Sequence, residues 1–232
     1  MIEKRSPLYD CNDCMFRNIS CHYVDLEDFE LIRRTSTQLH FAKGETILRQ
    51  DTKSSHLVYL HRGVVKFTFQ AGQGKTSIMT VVSGSKLLGG ANLFFKETNI
   101  FSIVAVEECD LCMIDSRALR NVMVKHGNLT LALLDRSVEM FQSSIFNFIS
   151  LAQKQVNGRI ADVLIYLWDH VYKNSEFEFT LTRKEIAEFA ACSHENVITT
   201  MSKLNKEGVI TLDGKRVVIN DINKLHEISK RG

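Results

Sequence analysis

The sequence predicts an α+β chain in three parts: an N-terminal jelly-roll (a double-stranded β-helix), one long helix, and a C-terminal winged helix-turn-helix. Three observations predict it. Thr182 to Leu204, TRKEIAEFAACSHENVITTMSKL, reads as two short helices around a tight turn, with a hairpin signal directly behind it. From Thr37 to Asp115 the chain is a series of short runs rich in β-branched and aromatic residues, punctuated by glycine. Between the two, apolar residues from Leu131 to Ala152 recur in alternating steps of three and four, the seam of a long helix.

Composition sets the outer bounds. The chain has 232 residues, room for one large domain or two modest ones. No apolar run approaches the roughly 20 residues of a membrane span. The opening MIEKRSPLYD lacks the apolar core of a signal peptide, so a cytoplasmic location is expected. A net charge of only +2 argues against a protein that coats nucleic acid non-specifically, and less against one that reads sequence. Six cysteines in a reducing compartment point to metal or redox chemistry rather than structural disulfides.

The elements follow in order. In LYDCNDCMFRNISCHYV, residues 8–24, Cys11, Cys14 and Cys21 are spaced C-x2-C-x6-C. Closely spaced thiols on a short polar strip can converge on one soft metal centre at little backbone cost. Asp25 to Ile32 reads as a short capped helix. The runs LHF, ETIL, SHLVYLH, GVVKFTF, TSIMTVV and FSIVAVEECDLCMI then read as strands of a closed roll. Ser116 to Lys125 is a short helix, broken at Gly127-Asn128, with Asn128 capping the long one. Leu131, Leu134, Val138, Phe141, Ile145, Phe148 and Ala152 form its seam, and a second apolar face carries Leu133, Met140 and Leu151. A helix with two apolar faces must bury both, and the economical arrangement is one against the roll and one against a second copy's identical helix. Arg159 to Tyr172 is a further helix, with a stripe at Ile160, Val163, Leu164 and Leu167. The short strand EFEFTL leads from it into the helix-turn-helix. Domain boundaries are accordingly expected at 1–24, 25–127, 128–153 and 154–232.

The last part carries the chemistry of DNA reading. Thr182 stands three residues before Glu185, the capping-box spacing, and Ser193 caps the second helix. Val197, Met201 and Leu204 lie behind that helix. His194, Glu195, Asn196, Thr199, Thr200 and Lys203 are left for the outer face, where a major groove would meet them. Asp213-Gly214 between VITL and KRVVIN signals a β-wing with Lys215 and Arg216 at its tip, within reach of phosphate.

Taken together, FAKGETI at 41–47, HRGVVK at 61–66, the glycine-punctuated roll, the long helix and LTRKEIAEF…NVITTMSKLNKEGVI resemble the Crp/Fnr family of transcription regulators over nearly the whole chain. The resemblance implies a cyclic-nucleotide-binding-like roll, a dimerisation helix and a winged helix. It also implies a homodimer on a near-palindromic operator, with RNA polymerase as a partner. Cyclic-nucleotide binders of the family resemble G-E-L-x-x-F followed by Arg-Ser. Here GGANLF at 89–94 puts Gly90 in the glutamate's place, and Phe101 stands where the arginine would hold the phosphate. Cyclic AMP in that mode is not expected. The oxygen-sensing branch resembles C-x2-C-x5-C plus a late cysteine around a [4Fe–4S] cluster. Cys11, Cys14, Cys21 and Cys112 answer to that pattern, with one extra residue in the last gap. Three readings of these cysteines stay open: a cluster, zinc, or free thiols. Cys109, three residues from Cys112 on a strand, should point to the opposite face, and it and Cys192 read as packing. Haem through His40 or His61, or an unknown small ligand, is the alternative effector. In the recognition helix Glu195 matches the family's E-x-x-S/G-R, but Ile198 and Thr199 replace its last two residues. The guanine-reading arginine is missing and an altered half-site is expected.

An enzyme built on a jelly-roll is the competing class. The roll lacks His-x-His spacing, and the chain has neither a nucleophile elbow nor a phosphate-cradling loop. A winged helix that docks on protein rather than DNA is the third possibility.

Overall fold

A computed structural model describes residues 9–11, 14, 16–17, 22–53, 55–88 and 98–232, without the side chains of Gln73, Glu139, Met140 and Ser143. The expectations placed on Cys21 and on GGANLF at 89–94 fall outside these residues. The chain forms two compact units, Met1–Val65 with Ser83–Met140, and Lys66–Val82 with Phe141–Gly232.

In the first unit, helix α1 (Leu26–Arg34) is capped by Asp25, whose carboxylate accepts from the Asp28 amide at 2.8 Å. An antiparallel sheet follows in the order β1 (Ser36–Phe41), β8 (Cys109–Asp115), β3 (His56–Arg62), β6 (Lys86–Leu88). The short strand β2 (Thr46–Leu48) pairs antiparallel with β7 (Ser102–Ala105). The run FSIVAVEECDLCMI is thus two strands, β7 and β8, that turn at Val106–Glu108 and pair with different partners. Strand β4 (Val64–Gln70) starts beside that turn, where the Val106 amide donates to the Val64 carbonyl at 2.8 Å. Gly63 makes the turn between β3 and β4 possible. Its φ is +105°, and a Cβ there would lie 2.5 Å from the Glu108 carbonyl and 2.6 Å from Cys109 Sγ.

The core of this unit joins Leu57, Tyr59 and Ile114 of the sheet to Phe29 and Ile32 of α1. It also takes in Leu119, Val122 and Met123 of α2 (Ser116–Lys125), and Leu129 and Leu133 at the start of α3 (Gly127–Gln153). The long helix begins one residue earlier than the expected Asn128 cap, and His126 alone separates it from α2. There the nearly buried Asp28 accepts from Lys125 Nζ and pairs with His126 Nε2, each at 2.9 Å.

Along α3 the expected seam stands open. Leu131, Leu134, Val138, Phe141, Ile145 and Phe148 are 41–71% exposed, whereas Leu129 and Leu133 on the other face are buried. Among the described residues no helix is long and apolar enough to cross a membrane.

In the second unit the rest of β4 runs beside β5 (Thr76–Ser83), and α4 (Val156–Tyr166) continues as a π-turn through Tyr172. Ile160, Val163, Leu164 and Leu167 form its buried stripe. Strands β10 (Ile210–Asp213), β11 (Arg216–Ile219) and β9 (Glu176–Glu178) make a three-stranded antiparallel wing in that order. Strand β9 precedes helices α5 (Arg183–Phe189) and α6 (His194–Lys206), and β10 and β11 follow them. A final helix, α7 (Ile222–Arg231), capped by Asp221, packs on α4 and closes the unit.

Candidate nucleic-acid interface and thiol cluster

The helix-turn-helix is built as its caps dictate. Thr182 Oγ1 accepts from the Glu185 amide at 3.2 Å while Glu185 Oε2 accepts from the Thr182 amide at 2.6 Å, a closed capping box. Glu185 Oε1 also accepts from Lys66 Nζ. Burial opposes the charge on Glu185, but the bonds from Lys66 and Thr182 outweigh it and hold the carboxyl below the ordinary glutamate range. Ser193 Oγ accepts from the Asn196 amide at 3.2 Å and starts α6. The turn between the helices places Ala191 in the left-handed region, φ +47°, without glycine. Arg159 Nη1 donates to the Ala191 carbonyl at 2.9 Å and pins the turn to α4.

On α6, His194, Glu195, Asn196, Thr199 and Lys203 are exposed. Hydrogen bonds from its own backbone amide and from Ser193 hold the Glu195 carboxyl below the usual range, so it is a charged, accept-only group. Thr200 corrects the sequence expectation. It is 6% exposed, and its Oγ1 donates to Asn157 Oδ1 at 2.8 Å. The reason is its register: Thr200 stands three residues after Val197 and four before Leu204, on the face those residues bury. It cannot meet a base. Ile198, half exposed, and Lys206 share the outer surface, where their helical spacing from Glu195 and Lys203 puts them.

The wing turn also differs in register from the expected Asp-Gly. Asp213 pairs with Arg216, so the two loop residues are Gly214 and Lys215, with φ +57° at Gly214 alone, the pattern of a type II′ turn. Lys215 is exposed. Arg216 donates through Nε and Nη2 to Glu176 Oε1 at 2.7 and 2.6 Å, so its charge is met within the wing.

The cysteine strip and the sheet meet in the first unit. Gln38, Cys112 and Tyr59 form one lateral row across β1, β8 and β3. Gln38 grips the strip: its Nε2 donates to the Tyr9 carbonyl at 3.0 Å and to Cys11 Sγ at 3.5 Å, and its Oε1 accepts from the Tyr9 amide at 3.3 Å. Cys14 is buried in the same core cluster as Tyr59, and Cys112 packs against it. Burial, and the nearness of Cys11 and Cys14, push the Cys112 thiol up to about 11, and burial and Cys14 raise Cys11. Three of the four expected ligands therefore share one environment, in which their thiolate charges oppose one another. As protonated thiols they need no counter-ion; were they to lose their protons together, a cation would have to balance them. Their sulfurs do not form a trio within 4.8 Å, the span that would suit a single ion.

Cys109 points the other way, wholly buried, with its thiol against the Val64 and Glu107 carbonyls. Cys192 is half-buried within the turn between the two helices. Among the described residues one trio of potential ligands lies within 4.8 Å, Asp25, Asp28 and His126, and there the Lys125 ammonium already balances Asp28. His40 is exposed and paired with Asp110 at 2.8 Å, and His61 stacks on Tyr9, so the two haem candidates lie apart in role.

Comparison with known proteins agrees with this architecture. The cyclic nucleotide-binding domain family matches residues 38–126, and the Crp-like helix-turn-helix domain family matches residues 158–228. The transcriptional activator protein FnrL of Cereibacter sphaeroides is 23% identical over 230 residues, 95% of this chain and 92% of its own. A CRP-like cAMP-activated global transcriptional regulator of Mycobacterium tuberculosis is 25% identical over 189 residues, 80% of this chain and 84% of its own. The structure of FixK2 from Bradyrhizobium japonicum superposes with a TM-score of 0.77 at 15% identity, covering 83% of this chain and 96% of that one. The first two of these relatives are named as transcriptional regulators. With an effector-domain roll followed by a DNA-binding helix-turn-helix of the Crp type, the chain belongs to the Crp/Fnr family of transcriptional regulators.

Proposed function

We propose that the chain acts in the cytoplasm as a homodimer. It would close through the seam of α3, read a near-palindromic operator with α6, contact RNA polymerase, and be controlled by a thiolate-held [4Fe–4S] cluster at the N-terminal strip. The observation that carries the reading is that Cys11, held by Gln38, shares one environment with Cys14 and Cys112. Cys21 is the fourth ligand. Thiols raised by burial stay protonated in the apoprotein, and a bound metal would displace those protons, so occupancy would alter the charge of the strip as well as its shape. When bound, such a cluster supplies sensitivity to oxygen and related oxidants. The chain's own part is to hold the strip against β1 and β8. The open seam supports self-association, because six large apolar side chains on one helix face are a surface that monomers rarely leave uncovered.

On DNA, Glu195 is the cytosine reader, Asn196 and Thr199 make the adjoining base contacts, and Ile198 offers an apolar face to a thymine methyl. His194, Lys203 and Lys215 meet phosphate, while Thr182 and Ser193 hold the helices in position. Anaerobic reconstitution with iron and sulfide analysis tests the effector. About four irons and four sulfides per chain support it, and an iron-free protein that binds the operator equally well refutes it. Operator selection separates the letters. Thr199→Val should relax one base position, whereas Thr200→Val should leave the selected half-site unchanged.

A further inference from the structure

We infer that the hydroxyls of Tyr9 and Tyr59 are the hydrogen-bond donors to the sulfurs of the loaded thiol site, an assignment that rests on the effector reading above. Both Oη atoms are fully buried and, among the described residues, neither has a hydrogen-bond partner. A buried phenol without an acceptor is costly, and few are kept without a reason. Tyr59 is 1% exposed and stands directly across from Cys112, with Phe16 tilted against its ring at 5.5 Å. The Ser85 hydroxyl lies towards it without closing a bond.

Tyr9 approaches from the strip side. Its ring is stacked on His61 at 3.9 Å and 5°, its backbone is held at both ends by Gln38, and its hydroxyl faces Cys112. Neither ring is free to swing its hydroxyl to water. Each phenol is thus fixed by an aromatic neighbour, with its hydroxyl buried and no acceptor closing a hydrogen bond on it. A thiol is a weak acceptor, and a metal-bound thiolate or cluster sulfide is a far better one. The orphaned donors are explained if the apoprotein is built for a partner that arrives with the metal.

Hydrogen bonds to sulfur raise the reduction potential of an iron–sulfur centre, so removing them should lower it. The test compares wild type with Tyr9→Phe and Tyr59→Phe, reconstituted anaerobically with ferrous iron and sulfide. It reads iron content, midpoint potential, the rate of bleaching in air, and the melting temperature of each apoprotein. The expected result is a loaded wild type and loaded variants whose potentials shift negative and which bleach faster, while the apo variants melt at or above wild type. That opposite sign is one that a merely structural hydroxyl would not give. A variant that keeps the apo melting temperature but fails to load also supports the assignment. Should one apo variant unfold, the other phenol decides. Loaded variants with wild-type potential and bleaching overturn the inference and leave the cysteine reading intact, whereas a wild type that takes up no iron overturns both.

Discussion

Replacing Asp162 by alanine should cost the second unit about 2–4 kcal/mol. Asp162 Oδ1 accepts from Lys154 Nζ at 2.9 Å and from Ser229 Oγ at 2.5 Å, and its other oxygen accepts from Ser150 Oγ. One carboxylate of α4 thus ties the end of α3 to α7. Ser150 and Ser229 are each 6% exposed, and without the carboxylate each holds a buried hydroxyl proton with no acceptor, at about 1–3 kcal/mol apiece. Ser229 falls at the low end, because its oxygen still accepts from Lys154 at 2.8 Å. Lys154 is 26% exposed and can turn to water, so it adds little.

Trp168, the single tryptophan, sits in the π-turn that continues α4 and reports this unit alone. A urea titration followed by its fluorescence should move to a lower midpoint by about 1–2 M, taking a slope of about 2 kcal/mol per M. Asp162→Asn keeps one acceptor and should lose about half as much. A midpoint within about 0.3 M of wild type for the alanine variant would refute the reasoning.

Three further predictions are independent of it. Ala191→Gly should stabilise the helix-turn-helix by about 0.5–1 kcal/mol, because the turn already demands a left-handed residue; the same titration reads it. Glu185 has a depressed folded pKa, so its stabilisation is present above the unfolded value of roughly 4.3 and is lost as pH falls through the lower folded value. Glu185→Gln should therefore flatten the acid limb of the urea midpoint against pH. In the apoprotein Cys112, raised to about 11, should alkylate with iodoacetamide roughly a hundredfold more slowly at pH 8 than an exposed thiol, and mass mapping would show the rate climbing only near pH 11.

Much of this molecule was legible in the letters because its elements obey local rules. The capping box at Thr182, the cap at Ser193 and the strand runs each follow from short-range chemistry, and the structure agrees with them. What escaped needed long-range partners. Thr200 looked like an outward polar residue until Asn157, 43 positions earlier, gave its hydroxyl an acceptor inside. Arg216 looked free for phosphate until β9 brought Glu176 beside it. Helix α7 was not read at all, although its Asp221 cap is as regular as the others. At the thiols, spacing singled out the cysteines but could not show that Tyr59 stands opposite Cys112, since that depends on the register of β3 against β8.

The contact between Gly63 and Cys109 bears on what a family likeness can convey. In HRGVVK the glycine is forced by the Glu108 carbonyl and the Cys109 sulfur, and Val64 and Val65 are core. In FAKGETI, Glu45 accepts from the Ala42 amide at 2.7 Å and Ile47 is buried. The letters that make this chain recognisable therefore encode corners and filling. They carry no information about the signal received, and a relative sharing every one of them could answer to a different effector. On the effector reading proposed above, that information would reside in a handful of positions around Tyr9, Tyr59 and Cys112, too few to weigh in any whole-chain identity.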